Sequence, residues 1–367
     1  MKKIYFFTLS FLLISISSLA QKPQKLASNQ IYEKVQKLNF LGTALYIAAH
    51  PDDENTRLIA YLANNTKART GYLSLTRGDG GQNLIGPEIR ELLGVIRTQE
   101  LLAARRVDGG EQMFTRANDF GYSKHPDETL KIWDKEKVLS DVVWAIRTFK
   151  PDVIINIFNH RTPGSTHGHH TSSAILSLEA FDKVGDSTQF KSQLAFTKTW
   201  QPKRLFFNTS SWFFRDRAQF LEASKDFTKL DVGVYYPLKG LSNNELASIA
   251  SSQHLCQGFG RLSTRGSQDE YLEFLKGDAL KDKNDIFSGI NTTWNRIEGG
   301  GKIGDILYDV EENFDFVNPS KHLPKLLDAY QLINELDDDY WKAIKKKQIL
   351  EIIEACSGLY LEVSAES

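Results

Sequence analysis

The sequence predicts an α/β protein with a Rossmann-like, mostly parallel sheet and helices on both faces of that sheet. Between about residues 40 and 210, short apolar runs alternate with longer amphipathic segments, which is typical of βαβ units. Loops rich in histidine, carboxylate or glycine follow several of these runs, at the strand ends where open α/β sheets bind ligands. An irregular extension and C-terminal helices complete the predicted fold.

The individual elements follow from local patterns. Short apolar runs have the length of buried strands, and they lie at residues 44–49, 71–76, 152–158 and 204–209. Longer segments with helical periodicity separate them, at residues 56–65, 88–107, 135–149 and 171–184. Pro151 ends the third of these helices before the next strand.

Beyond residue 210 the pattern is less regular. A strand is predicted at Asp231–Tyr236, and Ser242 with Glu245 has the spacing of a capping box at the start of a helix. Two amphipathic helices are predicted at Leu323–Leu336 and Tyr340–Cys356. The alternating residues 359–363 resemble a strand that has no partner after it.

The first twenty residues have the features of a secretory signal peptide. A basic start precedes an apolar run at residues 4–16, and a small-residue cleavage site follows at residues 18–20. The apolar run is too short for a comfortable membrane span. We therefore expect a mature chain that begins near Gln21, is secreted or periplasmic, and has no integral membrane span after cleavage.

Composition narrows the possible partners. The formal net charge of −1 gives no reason to expect nucleic acid or an anionic membrane as a partner. The two cysteines, Cys256 and Cys356, are too few for a disulfide framework, and neither belongs to a Cys-x-x-Cys motif. We expect separate buried thiols and no cysteine zinc site.

The most informative motif is Ala-His-Pro-Asp-Asp-Glu at residues 49–54, directly after the first predicted strand. His50 and Asp53 are three positions apart across a proline-containing turn, which is close enough to bind one metal ion. Asp52 lies between them and can face the same ion without ligating it. The motif predicts a metal-assisted hydrolase.

A second histidine cluster, His167-Gly-His169-His170, follows the strand predicted at residues 152–158. Catalytic zinc sites keep three protein ligands from histidine and carboxylate side chains and leave one position open for water. His50, Asp53 and one histidine of the second cluster would complete such a set. A lone histidine is more often a surface or core residue, but this clustering favours a metal site.

The third feature is the glycine-rich loop Thr76–Asn83, after the second predicted strand. Its glycines permit close approach to a ligand, and it lacks the spacing of a dinucleotide-binding loop. Hydrogen bonds to a polyol substrate are predicted for three of its residues and for one arginine beyond it: Arg77, Asp79, Asn83 and Arg90. Arg97 and Glu100 can line the site or form an exposed i, i+3 ion pair.

Together these motifs resemble the PIG-L/LmbE-like family of zinc-dependent N-acetylglucosaminyl deacetylases, over about residues 40–260. The resemblance implies that His50, Asp53 and His170 ligate Zn²⁺, with Fe²⁺ as an alternative metal. It also implies that Asp52 is the general base and that His167 stabilises the oxyanion and acts as an acid. Family members commonly have Asp where this chain has His169, which makes His169 a competing ligand.

We expect the chain after the signal peptide to have three parts. Residues 35–210 would form the deacetylase core, and residues 211–320 an extension that completes the catalytic domain. Residues 321–367 would form a helical segment that can be the start of a further domain.

The function that follows is removal of the N-acetyl group from an N-acetylated amino sugar or glycoconjugate, which is a small-molecule or glycan substrate. Two alternatives stay open: an amidase that acts on another N-acyl amine, and a secreted carbohydrate-binding protein with a degenerate site. A glycosidase that uses Asp52 and Asp53 as its carboxylate pair is disfavoured, because adjacent residues are poorly placed on two sides of a glycosidic bond.

Overall fold

The structure of the protein, a computed structural model, describes residues 25–260 and 262–359. The strands are β1 (Thr43–Ala48), β2 (Arg69–Ser74), β3 (Glu111–Phe114), β4 (Val153–Asn156), β5 (Arg204–Thr209), β6 (Thr228–Asp231), β7 (Tyr235–Tyr236), β8 (Leu241–Ser242) and β9 (Asp269–Gly277). The α-helices are α1 (Ser28–Leu38), α2 (Thr56–Asn64), α3 (Glu91–Asp108), α4 (Pro126–Trp133), α5 (Lys135–Phe149), α6 (Gly168–Lys183), α7 (Arg217–Ala223), α8 (Asn243–Ser251), α9 (Gly300–Glu312), α10 (Leu323–Glu335) and α11 (Asp339–Ser357). Short 3-10 helices occur at Lys191–Ala195, Ser211–Phe213, Ser224–Asp226, Leu255–Gln257, Trp294–Arg296 and Pro319–His322.

Within the described residues, seven strands form the main sheet in the order β3-β2-β1-β4-β5-β9-β6. Strands β1 to β5 pair in parallel, whereas β9 is antiparallel to both β5 and β6. The predicted α/β fold with a mostly parallel sheet is therefore confirmed. The chain runs outward from β1 to β3 and then returns to place β4 on the other side of β1. Ligands bind beyond the carboxyl ends of the strands at such a reversal of strand order.

Both faces of this sheet are covered. On one face, Tyr46 of β1 lies in an apolar cluster with Leu58 of α2. On the other face, Ile47 of β1 lies in a cluster with Val142 of α5 and Leu176 of α6. Every residue of β1 is buried, which explains why this strand is an unbroken apolar run in the sequence.

Most predicted elements of the first half are present, with bounds that differ by a few residues. The strand predicted at 204–209 and the helix predicted at 135–149 have the observed bounds. The helix predicted from residue 171 begins at Gly168 instead, so the second histidine cluster lies in its first turn. The capping box is confirmed: Ser242 Oγ accepts from the Glu245 N–H at 3.2 Å, and the Glu245 carboxylate accepts from the Ser242 N–H at 2.7 Å.

The strand predicted at Asp231–Tyr236 is wrong as a single element. Strand β6 ends at Asp231, and the two residues of β7 pair with β8 in a separate small sheet. The Asp231 carboxylate accepts from the backbone N–H groups of Gly233 and Gln268, each at 2.9 Å, and these bonds turn the chain. Strand β9, which extends the main sheet, was not predicted.

Four helices form a third apolar cluster, separate from the two clusters on the faces of the sheet. The predicted helices near residues 323 and 340 are present as α10 and α11, and they pack with α1 and α9. The described part of the segment 321–367 therefore packs with a helix from the start of the described chain.

Two predictions fall largely outside the described residues: the signal peptide at 1–20 and the strand at 359–363. In residues 25–260 and 262–359, no helix has both the length and the apolar character that a membrane crossing requires. Cys256 and Cys356 are buried and unpaired, as predicted.

Asp152 joins the helical cluster to the sheet. Its buried carboxylate accepts from the backbone N–H of Thr43 at 3.0 Å and from both terminal nitrogens of Arg296, at 2.8 and 2.7 Å. Arg296 ends the 3-10 helix Trp294–Arg296, four residues before α9 begins, so this ion pair ties the start of β1 to the helices.

We predict that Asp152→Ala lowers the free energy of unfolding by about 3 kcal/mol, because it leaves a mostly buried guanidinium without its partner. Urea denaturation measures the change. The control is Asp141→Ala, which removes a partner of the exposed Arg116 and costs about 1 kcal/mol or less. Equal losses in the two variants would contradict this account of Asp152.

Candidate active site

The turn after β1 closes on itself through the side chain of Asp53. Asp53 Oδ2 accepts from the backbone N–H of His50 at 2.7 Å and lies 3.1 Å from His50 Nδ1. The hydroxyl of Tyr72, on the neighbouring strand β2, donates to the His50 carbonyl at 2.5 Å. The turn thus holds an imidazole and a carboxylate together at the carboxyl end of the sheet.

The second histidine cluster reaches the same place from β4. His170 lies in the first turn of α6, and its Nε2 is 3.4 Å from Asp53 Oδ1. Phe158 stacks on the His170 ring, with 3.8 Å between the ring centroids. The two histidine motifs therefore converge as expected for loops at one edge of a parallel sheet.

A cleft of about 320 Å³ opens over these residues, lined by His50, Asp52, Asp53, Gly80, Gly81, Arg97, Asp119, Gly121, Tyr122, His167 and His170. One ligand atom from each of His50, Asp53 and His170 falls in a group whose members all lie within 4.8 Å of one another. Two imidazole nitrogens and one carboxylate oxygen are a donor set that fits a catalytic transition metal with an open position. The three residues predicted as ligands are thus brought together.

His50, His167 and His169 form a second group that meets the same distance criterion. His169, however, is fully buried between the rings of Phe120 and Trp133 and does not line the cleft. Its Nδ1 lies 2.9 Å from His50 Nε2. The geometry favours the group that contains Asp53 and His170, because that group faces the cleft.

His169 is placed to orient His50. Metal-binding histidines usually donate their second ring N–H to a neighbouring acceptor. With Nδ1 of His50 turned to Asp53, the Nε2–H of His50 can donate to His169 Nδ1. Burial, and then the charge of His50, lower the pKa of His169, which keeps its ring neutral and able to accept. A neutral imidazole thus supplies the acceptor at a position where the family commonly has a carboxylate.

Asp52 lines the cleft beside this group in a strained conformation. Its φ of 142° is a region that non-glycine residues rarely adopt. Gln257 Nε2 donates to Asp52 Oδ2. Burial, and then the negative charge of Asp53, raise the pKa of Asp52 to about 7.

The pKa values of three further residues of the site, His50, Asp53 and His167, also depart from their ordinary values. Burial acts against protonation of His50, but the charge of Asp53 and its hydrogen bond raise the pKa of His50 to about 9. Burial acts against ionisation of Asp53, but His170 and His50 hold its pKa well below the usual range. Burial, and then the charges of His50 and His170, lower the pKa of His167 to about 4.

The glycine-rich loop makes room for Arg97. A Cβ on Gly81 would lie 2.7 Å from Arg97 Nη1, and one on Gly78 would lie 2.6 Å from Arg97 Cδ. Arg97 Nη2 donates to the carbonyl of Gln82 at 3.2 Å, and the arginine lines the cleft with 7% of its surface exposed. The loop does approach the site closely, but its glycines accommodate a side chain of the protein itself.

The residues predicted to bind substrate lie outside the lining of the cleft: Arg77, Asp79, Asn83 and Arg90. Arg77 lies over the ring of Phe114, and Asp79 packs against Gly94 of α3. Asn83 binds Glu88 and caps the following backbone, and Arg90 is exposed. The structure thus places Arg77 against β3 and Asp79 against α3, and the arginine that lines the cleft is Arg97.

Three residues of this region were missed from the sequence: Asp119, Tyr122 and Gln257. Asp119 and Tyr122 follow β3, and because that strand was not predicted, its loop was not considered as a third loop at this edge. Gln257 comes from a 3-10 helix far along the chain, and no local pattern identifies it.

A buried charge network supports the turn from behind. Glu54 Oε1 lies 2.8 Å from His254 Nε2 and 3.3 Å from Arg105 Nη2, and Arg105 also pairs with Asp108 at 2.6 Å. All four residues are buried. The segment after α8, which carries His254, is therefore in contact with the turn that carries His50 and Asp53.

Comparison with known proteins confirms the resemblance. Residues 45–181 match the family described as PIG-L, GlcNAc-PI de-N-acetylase. Over 171 residues the chain is 27% identical to a 1D-myo-inositol 2-acetamido-2-deoxy-alpha-D-glucopyranoside deacetylase of Kineococcus radiotolerans. This match covers 40% of the chain and 44% of that protein, so the chain spans less than half the length of this curated relative.

Solved structures of different activities are among those to which the chain is similar. An N,N'-diacetylchitobiose deacetylase from Pyrococcus horikoshii has a TM-score of 0.39 at 15% identity, covering 57% of this chain and 70% of its own. A 4-carboxy-2-hydroxymuconate hydratase from Pseudomonas putida has a TM-score of 0.44 at 14% identity, covering 66% of this chain and 99% of its own. A deacetylase and a hydratase are both among them, so this likeness says nothing about activity.

We predict that His170→Asn loses bound zinc whereas His169→Asn retains it, because only His170 belongs to the group that faces the cleft. The zinc content of dialysed, folded protein, measured by inductively coupled plasma mass spectrometry, checks this. Circular dichroism provides the control for folding. Retention of zinc by His170→Asn together with its loss from His169→Asn would show that His50, His167 and His169 form the site instead.

Proposed function

We propose that the chain is a zinc-dependent hydrolase that removes the N-acetyl group from an N-acetylated amino sugar or glycoconjugate. The observation that carries the proposal is the convergence of His50, Asp53 and His170 beside Asp52, in one cleft at the end of the sheet. The PIG-L match over residues 45–181, and a relative whose name describes a deacetylase of an N-acetylated glucosamine derivative, support it.

Hydrolysis of an amide requires an activated nucleophile and stabilisation of a tetrahedral oxyanion, since an amide is a poor electrophile. Zinc held by His50, Asp53 and His170 would lower the pKa of a water molecule to about 7 and polarise the carbonyl. The same donors also accept Fe²⁺, so the metal identity is part of the proposal.

Asp52 is placed to move the proton of the attacking water. It lines the cleft but does not belong to the converging group of ligand atoms. Gln257 holds one carboxylate oxygen of Asp52, which fixes the orientation of the other. In the proposed reaction, Asp52 accepts a proton from water and then delivers it to the amine nitrogen that leaves.

His167 is placed as a neutral hydrogen-bond donor. It is the N-cap of α6, and its Nδ1 accepts from the backbone N–H of His169 at 3.0 Å. An imidazole that accepts at Nδ1 carries its proton on Nε2, and this N–H is then available to an oxyanion in the cleft. The backbone of the helix thus selects the tautomer that the reaction needs.

Arg97 and Asp119 supply the polar contacts for the sugar. Both are more than nine-tenths buried and line the cleft, and Arg97 Nε lacks a hydrogen-bond partner among the described residues. A guanidinium and a carboxylate in the lining of one cleft suit the hydroxyl groups of an amino sugar, which both donate and accept.

The proposal includes export. The signal peptide predicted at residues 1–20 supports a secreted or periplasmic enzyme, which would act on wall, capsule or foraged glycans. Recovery of the mature protein from the cytosol would contradict this part of the proposal.

We predict that Asp52→Ala keeps its zinc and lowers kcat for acetate release about 10³-fold, because it removes the proton acceptor and leaves the ligands intact. Acetate release from a panel of N-acetylhexosamines and oligosaccharides measures the rate. Asp127→Ala, at an exposed site outside the cleft, is the matched control. A zinc-replete Asp52→Ala enzyme with the wild-type rate would contradict the role of Asp52 as proton acceptor. Hydrolysis of other N-acyl amines without acetate release from any sugar would favour the amidase alternative.

We predict that His167→Gln lowers kcat about 10²-fold with little change in KM, because the oxyanion exists only in the transition state. Steady-state kinetics on the best substrate of the panel, with zinc content as the control, separate the two parameters. An increase in KM at constant kcat would place His167 in ground-state binding instead.

A further inference from the structure

We infer that a second cleft, which meets the first one at Asp53, is a subsite for an uncharged sugar ring linked to the N-acetylated residue. This inference rests on the proposed function and defines its substrate class more closely. The second cleft has a volume of about 290 Å³, and Asp53 lines both clefts. Ligand pockets usually measure about 300–1,000 Å³, so each cleft alone is near the lower end of that range.

Three buried polar atoms of the second cleft lack partners among the described residues: Thr209 Oγ1, Asn244 Oδ1 and the second carboxylate oxygen of Glu54, Oε2. Thr209, the last residue of β5, is 2% exposed, and Asn244, in the first turn of α8, is 7% exposed. Neither Thr209 Oγ1 nor Asn244 Oδ1 has a hydrogen-bond partner among the described residues, and both residues line the cleft. Asn244 Nδ2 donates to the Gly266 carbonyl at 3.5 Å, so the amide is held by its nitrogen. Buried polar groups are rarely left unpaired, and three of them in one cleft point to a ligand with hydroxyl groups.

The charges of this cleft are balanced within the protein. Glu270 is 6% exposed and accepts from Arg57 Nε at 3.1 Å, from Asn55 Nδ2 at 2.8 Å and from Asn208 Nδ2 at 3.2 Å. The guanidinium of Arg57 is therefore paired, and the carboxylate is saturated with donors. A phosphate or carboxylate group on the ligand would meet Glu270 without a free counter-charge, which favours an uncharged ring.

The remaining wall offers apolar contact. Phe213 and Ile157 line the cleft, and the Phe213 ring is held edge-on against Phe207, with 4.9 Å between centroids. Apolar surface beside hydroxyl and amide groups matches a pyranose ring, whose faces carry C–H groups and whose rim carries hydroxyls. A disaccharide that spans both clefts would pass Asp53, where the N-acetyl group is cut.

Binding to zinc-loaded Asp52→Ala protein, measured by isothermal titration calorimetry, tests the subsite without turnover. The ligands are N-acetylglucosamine and a panel of neutral disaccharides that contain it through β-1,3, β-1,4 and β-1,6 linkages. We expect the best disaccharide to bind about tenfold tighter than the monosaccharide. Adding Thr209→Val or Asn244→Leu should each reduce that ratio about fivefold, whereas Thr148→Val, on the exposed face of α5, should not change it.

The inference is overturned if no disaccharide of the panel binds tighter than the monosaccharide. It is also overturned if both cleft variants keep the full ratio, or if a phosphorylated disaccharide binds tighter than its neutral counterpart. Two different cleft variants guard against misfolding of either one. Acetate release by the wild type is scored separately, so a tighter disaccharide without acetate would support the subsite and reject deacetylation.

Discussion

The carboxylate of Asp53 is the group on which the site depends. One of its oxygens closes the turn on the backbone N–H of His50, and the other lies 3.4 Å from His170 Nε2. It therefore connects the end of β1 with the start of α6. An ionised carboxylate with 12% of its side chain exposed would be costly without partners, and the two imidazoles keep it charged. The same arrangement leaves Asp52 next to a fixed negative charge, and burial, followed by that charge, raises the pKa of Asp52.

The parallel sheet makes this convergence possible. Strands β1 and β4 are neighbours although more than a hundred residues separate them, and both deliver their next loops to the same edge. Glu54, His254 and Arg105 brace the turn from the buried side, while Phe158 holds the His170 ring by stacking. Support from two directions fits the strained backbone at Asp52, since such a conformation persists only where the surroundings hold it.

Local pattern predicted the parts of this site that are contiguous in the chain. His50, Asp52 and Asp53 follow a uniform apolar run, so the sequence predicted both the buried strand and the polar motif at its end. The histidine cluster was also recognised. Local pattern could not distinguish His169 from His170, because adjacent helix positions point about 100° apart and the placement of the helix decides which ring faces the cleft and which is buried. The relation of His169 to His50 depends on a contact across 119 residues.

The parts that prediction missed depend on packing between distant segments. Arg77 and Arg97 both lay close to the glycine-rich loop in sequence, but only the position of α3 decides that Arg97 enters the cleft. The glycines looked like a surface for ligand and instead make space for that arginine. Strand β9 carries charged residues on a partly exposed strand, so its pattern was too weak to reveal the edge of the sheet and the second cleft beside it.

The most direct test of this account is the location of the metal in crystals of the zinc-loaded protein, measured by anomalous diffraction at the zinc absorption edge. We predict one strong peak bonded to His50, Asp53 and His170, with Asp52 beside it and with His169 next to His50 but not bonded to the metal. A peak bonded to His50, His167 and His169, or the lack of any peak in this cleft, would contradict the central role assigned to Asp53.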